Sequence, residues 1–292
     1  TCALPISNGG LVALAGMLAE YFGAIEGASI DANKGAYSSA WMIIFAVIAA
    51  VMVLLGLYHI KMLPSTQVPA TGKKSTSEIM QDLVNVIGNF FTKKHIVYYI
   101  FFIILYRLAE GFIMKVAPLF LRASREVGGL GLSLTEIGTL NGVFGSAAFV
   151  IGSLLGGIFV ARYGLKKTLF MLCCVFNLPF LAYTFLAVVQ PTSLYLIGTC
   201  ITMEYFGYGF GFVGLTLFMM QQIAPGKHQM SHYAFASGIM NLGVMLPGMI
   251  SGYFSDLLGY RSFFIYVLIA TIPAFLMTYF IPFTYDDSKK KK

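Results

Sequence analysis

Three ionisable side chains stand inside one long apolar stretch of the sequence. Arg107, Glu110 and Lys115 lie between Tyr98 and Leu121. About 20 apolar residues in a helix cross the hydrocarbon of a bilayer, so this stretch is long enough to span a membrane. Charged side chains are costly at that depth and are tolerated where they face a polar cavity or each other. The stretch therefore predicts a membrane protein with a polar passage between its helices.

The spacing of these three residues predicts that they share one helix face. On a helix that turns by about 100° per residue they fall within a sector of about 140°. We predict that this face lines a cavity where Arg107 and Lys115 bind the carboxylates or phosphates of an anionic substrate. A guanidinium suits this because it can hold a carboxylate through two hydrogen bonds. The alternative is a structural ion pair between Arg107 and Glu110, three positions apart, that merely neutralises itself. The sequence leaves both interpretations open.

A second apolar run, Leu196–Met220, contains a lone carboxylate, Glu204, with no cation near it in the sequence. Burial in a membrane favours the neutral form of such a group, whereas Arg107 favours the charged form of Glu110. Glu204 is therefore the stronger candidate for a proton carrier and Glu110 the weaker one. The two spans run in opposite directions, and we expect both carboxyl groups at comparable depth.

Polar and aromatic neighbours could complete the predicted substrate site. Tyr106 and Tyr208 could stack on sugar rings, and Asn141 could hydrogen-bond a sugar or an amide. Packing in the helix core accounts for most such tyrosines, and hydrogen bonds between helices account for most such asparagines. These three residues join the charged ones in the predicted site, with core packing as the competing explanation.

Composition excludes several classes of protein. Of the 292 residues, 58% are hydrophobic and 11% are charged, whereas a soluble domain carries roughly a quarter charged residues. The four cysteines form no C-x-x-C pair, and neither an H-E-x-x-H motif nor a Walker-type loop occurs. We therefore predict no enzyme, no cofactor and no metal site, and we disfavour an ATP-driven pump. The net charge of +7 is not gathered on a soluble face, so no nucleic-acid partner is predicted.

Seven apolar runs are long enough to cross a membrane, and an eighth, over residues 11–22, is weaker. Continuous runs favour helices over a β-barrel, which needs short alternating segments. We predict an all-α, polytopic transmembrane bundle with about eight spans. The seven runs are Ser38–Tyr58, Tyr98–Leu121, Ile137–Val160, Leu169–Val189, Leu196–Met220, Ala234–Tyr253 and Phe263–Phe283.

Most of the 19 Lys and Arg residues fall on one side of these spans. That side includes the connection Lys61–Lys94, the turn Arg162–Lys167 and the tail Lys289–Lys292. By the positive-inside rule this side is cytoplasmic, and the carboxyl terminus lies there as well.

The longest connection divides the chain. Its first part, Pro64–Thr76, is predicted to be flexible. Its second part begins with a capping box formed by Ser75 and Glu78 and continues as an amphipathic helix on the membrane surface. The predicted organisation is the last two spans of an amino-terminal bundle at residues 1–60, a cytoplasmic linker with the amphipathic helix at 61–96, a six-helix bundle at 97–284 and a basic cytoplasmic tail at 285–292.

Six spans behind a long basic linker is the layout of the carboxy-terminal half of a major facilitator superfamily transporter. The segment Gly157–Lys167 resembles the superfamily's cytoplasmic loop signature, with Ala161 where an Asp is usual and Leu165 where a basic residue is usual. The resemblance implies the major facilitator fold and a site shared by two helical bundles.

Three further segments resemble the AmpG-type muropeptide permeases and the related acetyl-CoA transporters. Tyr106–Phe112 is similar to their seventh span, Glu204–Gly214 to their tenth, and Gly252–Arg261 to the turn before their last span. The resemblance implies a secondary active transporter that imports anhydro-muropeptides, or a related anionic glycoconjugate, by proton symport for peptidoglycan recycling. The implied location is the inner membrane of a bacterium.

Other functions remain open at this stage. Within the same class the chain could carry acetyl-CoA, a sugar or a nucleoside. In a different class it could be a membrane receptor or scaffold that binds a ligand without moving it. The resemblance also implies that four spans precede residue 1. The expected partners are therefore the missing amino-terminal half of the same protein, the lipid bilayer, protons and a small-molecule substrate.

Overall fold

The computed structural model of the chain describes residues 11, 14–25, 32–62 and 75–285. Within these ranges helices are the regular elements and no strand occurs. The predicted all-α, polytopic transmembrane fold is confirmed. The flexible segment predicted at Pro64–Thr76 lies almost entirely outside the described residues, and so does nearly all of the basic tail at 285–292.

Eleven α-helices follow one another from residue 34 onward in the described part of the chain. They are α1 Lys34–Met62, α2 Thr76–Phe91, α3 Ile96–Tyr106, α4 Leu108–Arg122, α5 Leu134–Gly138, α6 Ser146–Tyr163, α7 Leu165–Asn177, α8 Phe180–Val189, α9 Leu194–Phe218, α10 Gln229–Ala270 and α11 Ile272–Tyr279. Two π-helical segments, Thr139–Gly145 and Met219–Ile223, extend the neighbouring helices, and residues 14–21 are also helical.

Five helical stretches among the described residues are long and apolar enough to cross a membrane. They are Lys34–Met62, Ile96–Arg122, Leu134–Tyr163, Leu165–Val189 and Gln229–Tyr279. The last, of 51 residues, contains two of the predicted spans, because Gly259 adopts φ 71° and ψ 159° and interrupts the helix. A left-handed φ of this kind favours glycine. The span predicted at Leu196–Met220 is α9, in which glycines, tyrosines and Glu204 interrupt the aliphatic residues.

The span that carries Arg107 is not one continuous helix, and this corrects the geometry assumed from the sequence. α3 ends at Tyr106 and α4 begins at Leu108, with Arg107 between them at φ −105° and ψ 6°. Neither Pro nor Gly lies within three residues before this break, so no local signal predicts it. The helical wheel drawn through Arg107 is therefore only approximate, because Arg107 itself has left helical geometry.

Glycines allow the closest approaches between helices. A Cβ on Gly209 of α9 would overlap the backbone of Phe149 in α6. On the other side of the bundle, a Cβ on Gly111 of α4 would overlap Pro247 and the backbone of Val244 in α10. Small residues that bring two backbones together are the usual basis of helix association in membranes. α9 is thus held against α6, and α4 against α10, which positions the charged residues of α4 and α9.

The linker helix α2 meets the bundle at its carboxyl end. The backbone N–H of Ser75 donates to the Glu78 carboxylate at 2.9 Å, the contact expected of the predicted capping box. Phe90 is buried and packs edge-to-face on Phe235 at 4.7 Å between ring centroids. Leu83 remains 52% exposed, so the apolar face of α2 is left uncovered along most of its length. An uncovered apolar face suits a helix that lies on a membrane surface.

The first part of the chain is packed very differently from the remainder. Of α1, only Ala40 and Ile44 are buried among the described residues. Residues 14–25 do reach the bundle, since the Thr135 hydroxyl donates to Glu20 at 2.6 Å. The division of the chain at residues 60, 96 and 284 stays a prediction.

Candidate substrate site

Arg107 and Glu110 form a two-point ion pair. Nε of Arg107 donates to Oε2 of Glu110 at 2.6 Å, and Nη2 donates to Oε1 at 2.5 Å. The side chains are 6% and 8% exposed, respectively. Two parallel, charge-assisted hydrogen bonds fix the guanidinium plane on the carboxylate. The ion pair that the sequence left as an alternative is therefore formed, and each group neutralises the other at this depth.

Residues of α9 enclose the pair from the opposite side. Nη2 of Arg107 lies 3.5 Å from the Tyr208 hydroxyl. Its guanidinium carbon lies 5.2 Å from the centre of the Phe212 ring, in cation–π geometry. The Tyr208 ring is itself held between Phe149 and Phe176, at 5.1 Å and 5.6 Å between centroids. The cation is therefore bound by a carboxylate on one helix and by aromatic side chains on another.

Glu204 lies one helical turn before Tyr208 on α9. In contrast to Glu110, it is partly exposed and makes no hydrogen bond or salt bridge within the described residues. The Tyr208 hydroxyl, one turn further along the same helix, lies 3.5 Å from Nη2 of the Arg107 that holds Glu110. Glu204 is therefore an acid without a described counter-ion, whereas Glu110 has Arg107 as its counter-ion.

Three predicted site residues are not brought into contact with this group. Tyr106 is completely buried, and its hydroxyl donates to the Gly211 backbone oxygen at 2.9 Å. It therefore packs as a core residue, and a substrate contact would need another conformation. Lys115 is exposed, with its aliphatic stem beside Gly248. Asn141 lies in the π-helical segment, with Oδ1 buried and without a hydrogen bond.

The sequence interpretation missed Phe212 and the π-helical segment at Thr139–Gly145. Phe212 could have been found, because Glu204, Tyr208 and Phe212 recur at intervals of four residues, which places them on one helix face. The π-helical segment has no such signal. It packs on α9 just where the lone acid stands, since a Cβ on Gly145 would contact the Tyr205 ring at 3.0 Å. π-Helical turns of this kind are frequent at functional sites.

Comparison with known proteins identifies the family. The model of the Major Facilitator Superfamily matches residues 128–292. The chain belongs to this superfamily. It is accordingly a multi-pass membrane protein of a transporter family, and members of that family are typically permeases rather than enzymes. The match begins shortly after Arg107 and Glu110 and includes Glu204 and Tyr208.

The similar curated proteins of this superfamily are AmpG-type permeases. The chain is 23% identical to the anhydromuropeptide permease of Escherichia coli (strain K12) over 197 residues, which cover 68% of the chain and 39% of that protein. It is 24% identical to "Putative transporter AmpG 1" of Rickettsia conorii over 220 residues, covering 75% of the chain and 50% of the relative. It is 25% identical to "Putative transporter AmpG 4" of the same organism over 267 residues, covering 90% and 61%. The chain thus spans about 39–61% of the length of these relatives, and the predicted resemblance is confirmed.

Proposed function

We propose that this chain forms part of a proton-coupled secondary transporter that imports anhydromuropeptides or a related anionic glycoconjugate. The proposed location is the bacterial inner membrane, with the carboxyl terminus in the cytoplasm. The relatives named as anhydromuropeptide permeases support the substrate class. The other wall of the cavity would come from an amino-terminal bundle, as alternating access requires two bundles that move against each other.

The observation that carries this proposal is the contrast between the neutralised ion pair of Arg107 and Glu110 and the lone acid Glu204, one helical turn from the Tyr208 that contacts Arg107. Among the residues that the structure describes, Arg107 is a cation that is buried and that also contacts aromatic side chains of α9. A substrate carboxylate or phosphate could replace the Glu110 carboxylate on the guanidinium of Arg107. Each of these groups can present two oxygens to the two N–H donors of the guanidinium. The freed Glu110 would then stand close to Glu204 as a second negative charge.

Proton coupling follows from this exchange. When a substrate anion takes Arg107, Glu110 loses its counter-ion, and its interaction with Glu204 favours uptake of a proton by the pair. With this one proton the loaded carrier has the same net charge among these groups as the empty carrier, so the bound anion adds no charge to the site that moves between the two sides of the membrane. Release of the proton in the cytoplasm restores the repulsion. Glu110 then returns to Arg107 and displaces the substrate.

The test is substitution of the lone acid. Glu204→Gln in the protein as expressed from its gene should abolish accumulation of labelled anhydromuropeptide driven by a pH gradient in proteoliposomes. Counterflow against unlabelled substrate should continue, because Gln mimics the protonated acid and permits exchange. The exposed loop residue Glu126, changed to Gln, is the matched control and should leave both activities unchanged. Undiminished pH-driven accumulation by Glu204→Gln would remove Glu204 from the coupling scheme, and absence of any counterflow in the unaltered protein would refute transport of this substrate.

A further inference from the structure

A cavity with two basic residues in its lining lies at the end of the spans, away from the candidate substrate site. It has a volume of about 540 Å³ and is formed by the end of α6, the turn into α7 and the last turns of α9. Val160, Val213 and Leu217 supply apolar lining, and Arg162 and Lys167 supply the charge. Because α6 and α7 meet here at a tight turn, the cavity lies where two spans leave the membrane.

The two cations of this cavity lack an acidic partner. Neither Arg162 nor Lys167 makes a salt bridge within the described part of the chain, and both are exposed. The guanidinium of Arg162 rests over the Tyr163 ring at 5.5 Å from its centre. Ala161, also on the cavity wall, contributes no charge. The cavity is therefore positively charged, whereas Arg107 in the substrate site is neutralised by Glu110.

The surroundings of the cavity favour a lipid over a soluble anion. The side chains of Ile158 and Leu154, one and two turns before Arg162 on α6, are each 63% exposed. They continue the apolar wall from the cavity along the span. Basic pockets between transmembrane helices at a membrane boundary bind phospholipid head groups. A ligand with a phosphate and an acyl chain would match both the cations and the adjoining apolar surface.

We propose that this cavity binds the phosphate of an anionic phospholipid, with Arg162 and Lys167 as its ligands and an acyl chain along α6. The inference concerns the membrane environment of the chain and does not depend on the transported substrate. Occupation would also fill the space between the ends of α6 and α9, two helices whose close contact positions Tyr208 and Glu204.

Native mass spectrometry of the detergent-solubilised protein can test this proposal. Phosphatidylglycerol is titrated as the anionic lipid, and phosphatidylethanolamine and inorganic phosphate serve as comparison ligands. The unaltered protein should prefer phosphatidylglycerol, and Arg162→Gln with Lys167→Gln should weaken its binding about thirtyfold, as expected for the loss of two charges near a membrane surface. Lys94→Gln with Lys227→Gln removes two exposed charges outside the cavity and should change binding by less than about threefold.

A second variant tests the proposal without removing either cation, in case the double substitution misfolds. Ala161 is exposed, so Ala161→Asp should fold, and its carboxylate should compete with the lipid phosphate for the two cations. We expect about a tenfold loss of phosphatidylglycerol binding with an unchanged unfolding temperature. Equal binding of phosphatidylglycerol and phosphatidylethanolamine, retention of binding by both cavity variants, or an equal loss in the control variant would overturn the proposal. Displacement of the lipid by millimolar inorganic phosphate would assign the cavity to a soluble anion instead and would also overturn it.

Discussion

Glu110 on α4 and Glu204 on α9 are two carboxylates in very different surroundings. Glu110 is held by two hydrogen bonds from Arg107 and is almost inaccessible. Glu204 is partly exposed and has no hydrogen bond or ion pair within the described residues. The comparison shows that residue type and depth alone do not set the role of a membrane carboxylate. A compensated acid contributes to the fold, whereas an uncompensated one is available for a proton or a ligand.

The largest effect on stability is expected at Glu110, the acid that the ion pair with Arg107 makes part of the packed fold. Glu110→Gln leaves the buried guanidinium of Arg107 without a counter-ion. Removal of one member of a buried ion pair lowers the free energy of unfolding by about 3–5 kcal/mol, and we expect a loss of this size. Chemical unfolding in detergent would measure this loss. The double variant Arg107→Gln with Glu110→Gln should recover most of the lost stability while transport stays abolished. If Glu110→Gln is as stable as the unaltered protein, the pair has no structural role.

The next effect tests the packing that encloses Glu110. Its neighbour Gly111 lies against Pro247 and the backbone of Val244, where a Cβ has no room. Gly111→Ala should therefore lower the free energy of unfolding by about 1–3 kcal/mol through overpacking. Gly252→Ala on α10 is the matched control, because a Cβ there meets nothing within 4 Å, and it should be neutral or slightly stabilising. Equal behaviour of the two variants would contradict the close contact of α4 with α10.

A smaller effect is expected at Tyr208, whose hydroxyl faces the guanidinium of Arg107. Its hydroxyl lies at the long distance of 3.5 Å from Arg107, so Tyr208→Phe removes a weak hydrogen bond and leaves the ring contacts in place. The loss of unfolding free energy should stay below about 1 kcal/mol. Thermal unfolding measures it, with Tyr106→Phe for comparison. Tyr106→Phe should cost more, because it leaves the buried Gly211 oxygen without its 2.9 Å donor.

The smallest effect on stability is expected at Glu204. Glu204→Gln breaks no hydrogen bond and no ion pair with any residue that the structure describes, so the free energy of unfolding should change by less than about 0.5 kcal/mol. Chemical unfolding, measured as for Glu110→Gln, compares the two acids directly, because the substitution is Glu to Gln in both variants. A loss as large as that of Glu110→Gln would show that Glu204 has a structural partner and would end the distinction between the two acids.

Much of the candidate site could be predicted from the sequence because its signals are local. The i, i+3 spacing of Arg107 and Glu110 anticipated the ion pair, and the lack of a nearby cation singled out Glu204. The role of Tyr106 could not be predicted, because its burial depends on Gly211, a residue 105 positions away. The contact of Phe212 with Arg107 was missed although the four-residue spacing from Tyr208 was visible. A phenylalanine in a membrane span is ordinarily interpreted as a packing residue.

The sequence by itself determined the helical class and the long apolar stretches, because hydrophobicity over about 20 residues is a property of contiguous chain. The side of the membrane on which the Lys and Arg residues lie stays a prediction. Only the tertiary structure decided where helices break, as at Arg107, and which aromatic side chains of α9 meet the guanidinium. Those outcomes depend on the approach of α9 to α4 and α6. The glycines that permit this approach contact residues that are distant in sequence. A local sequence pattern therefore cannot predict which side chains the approach brings together.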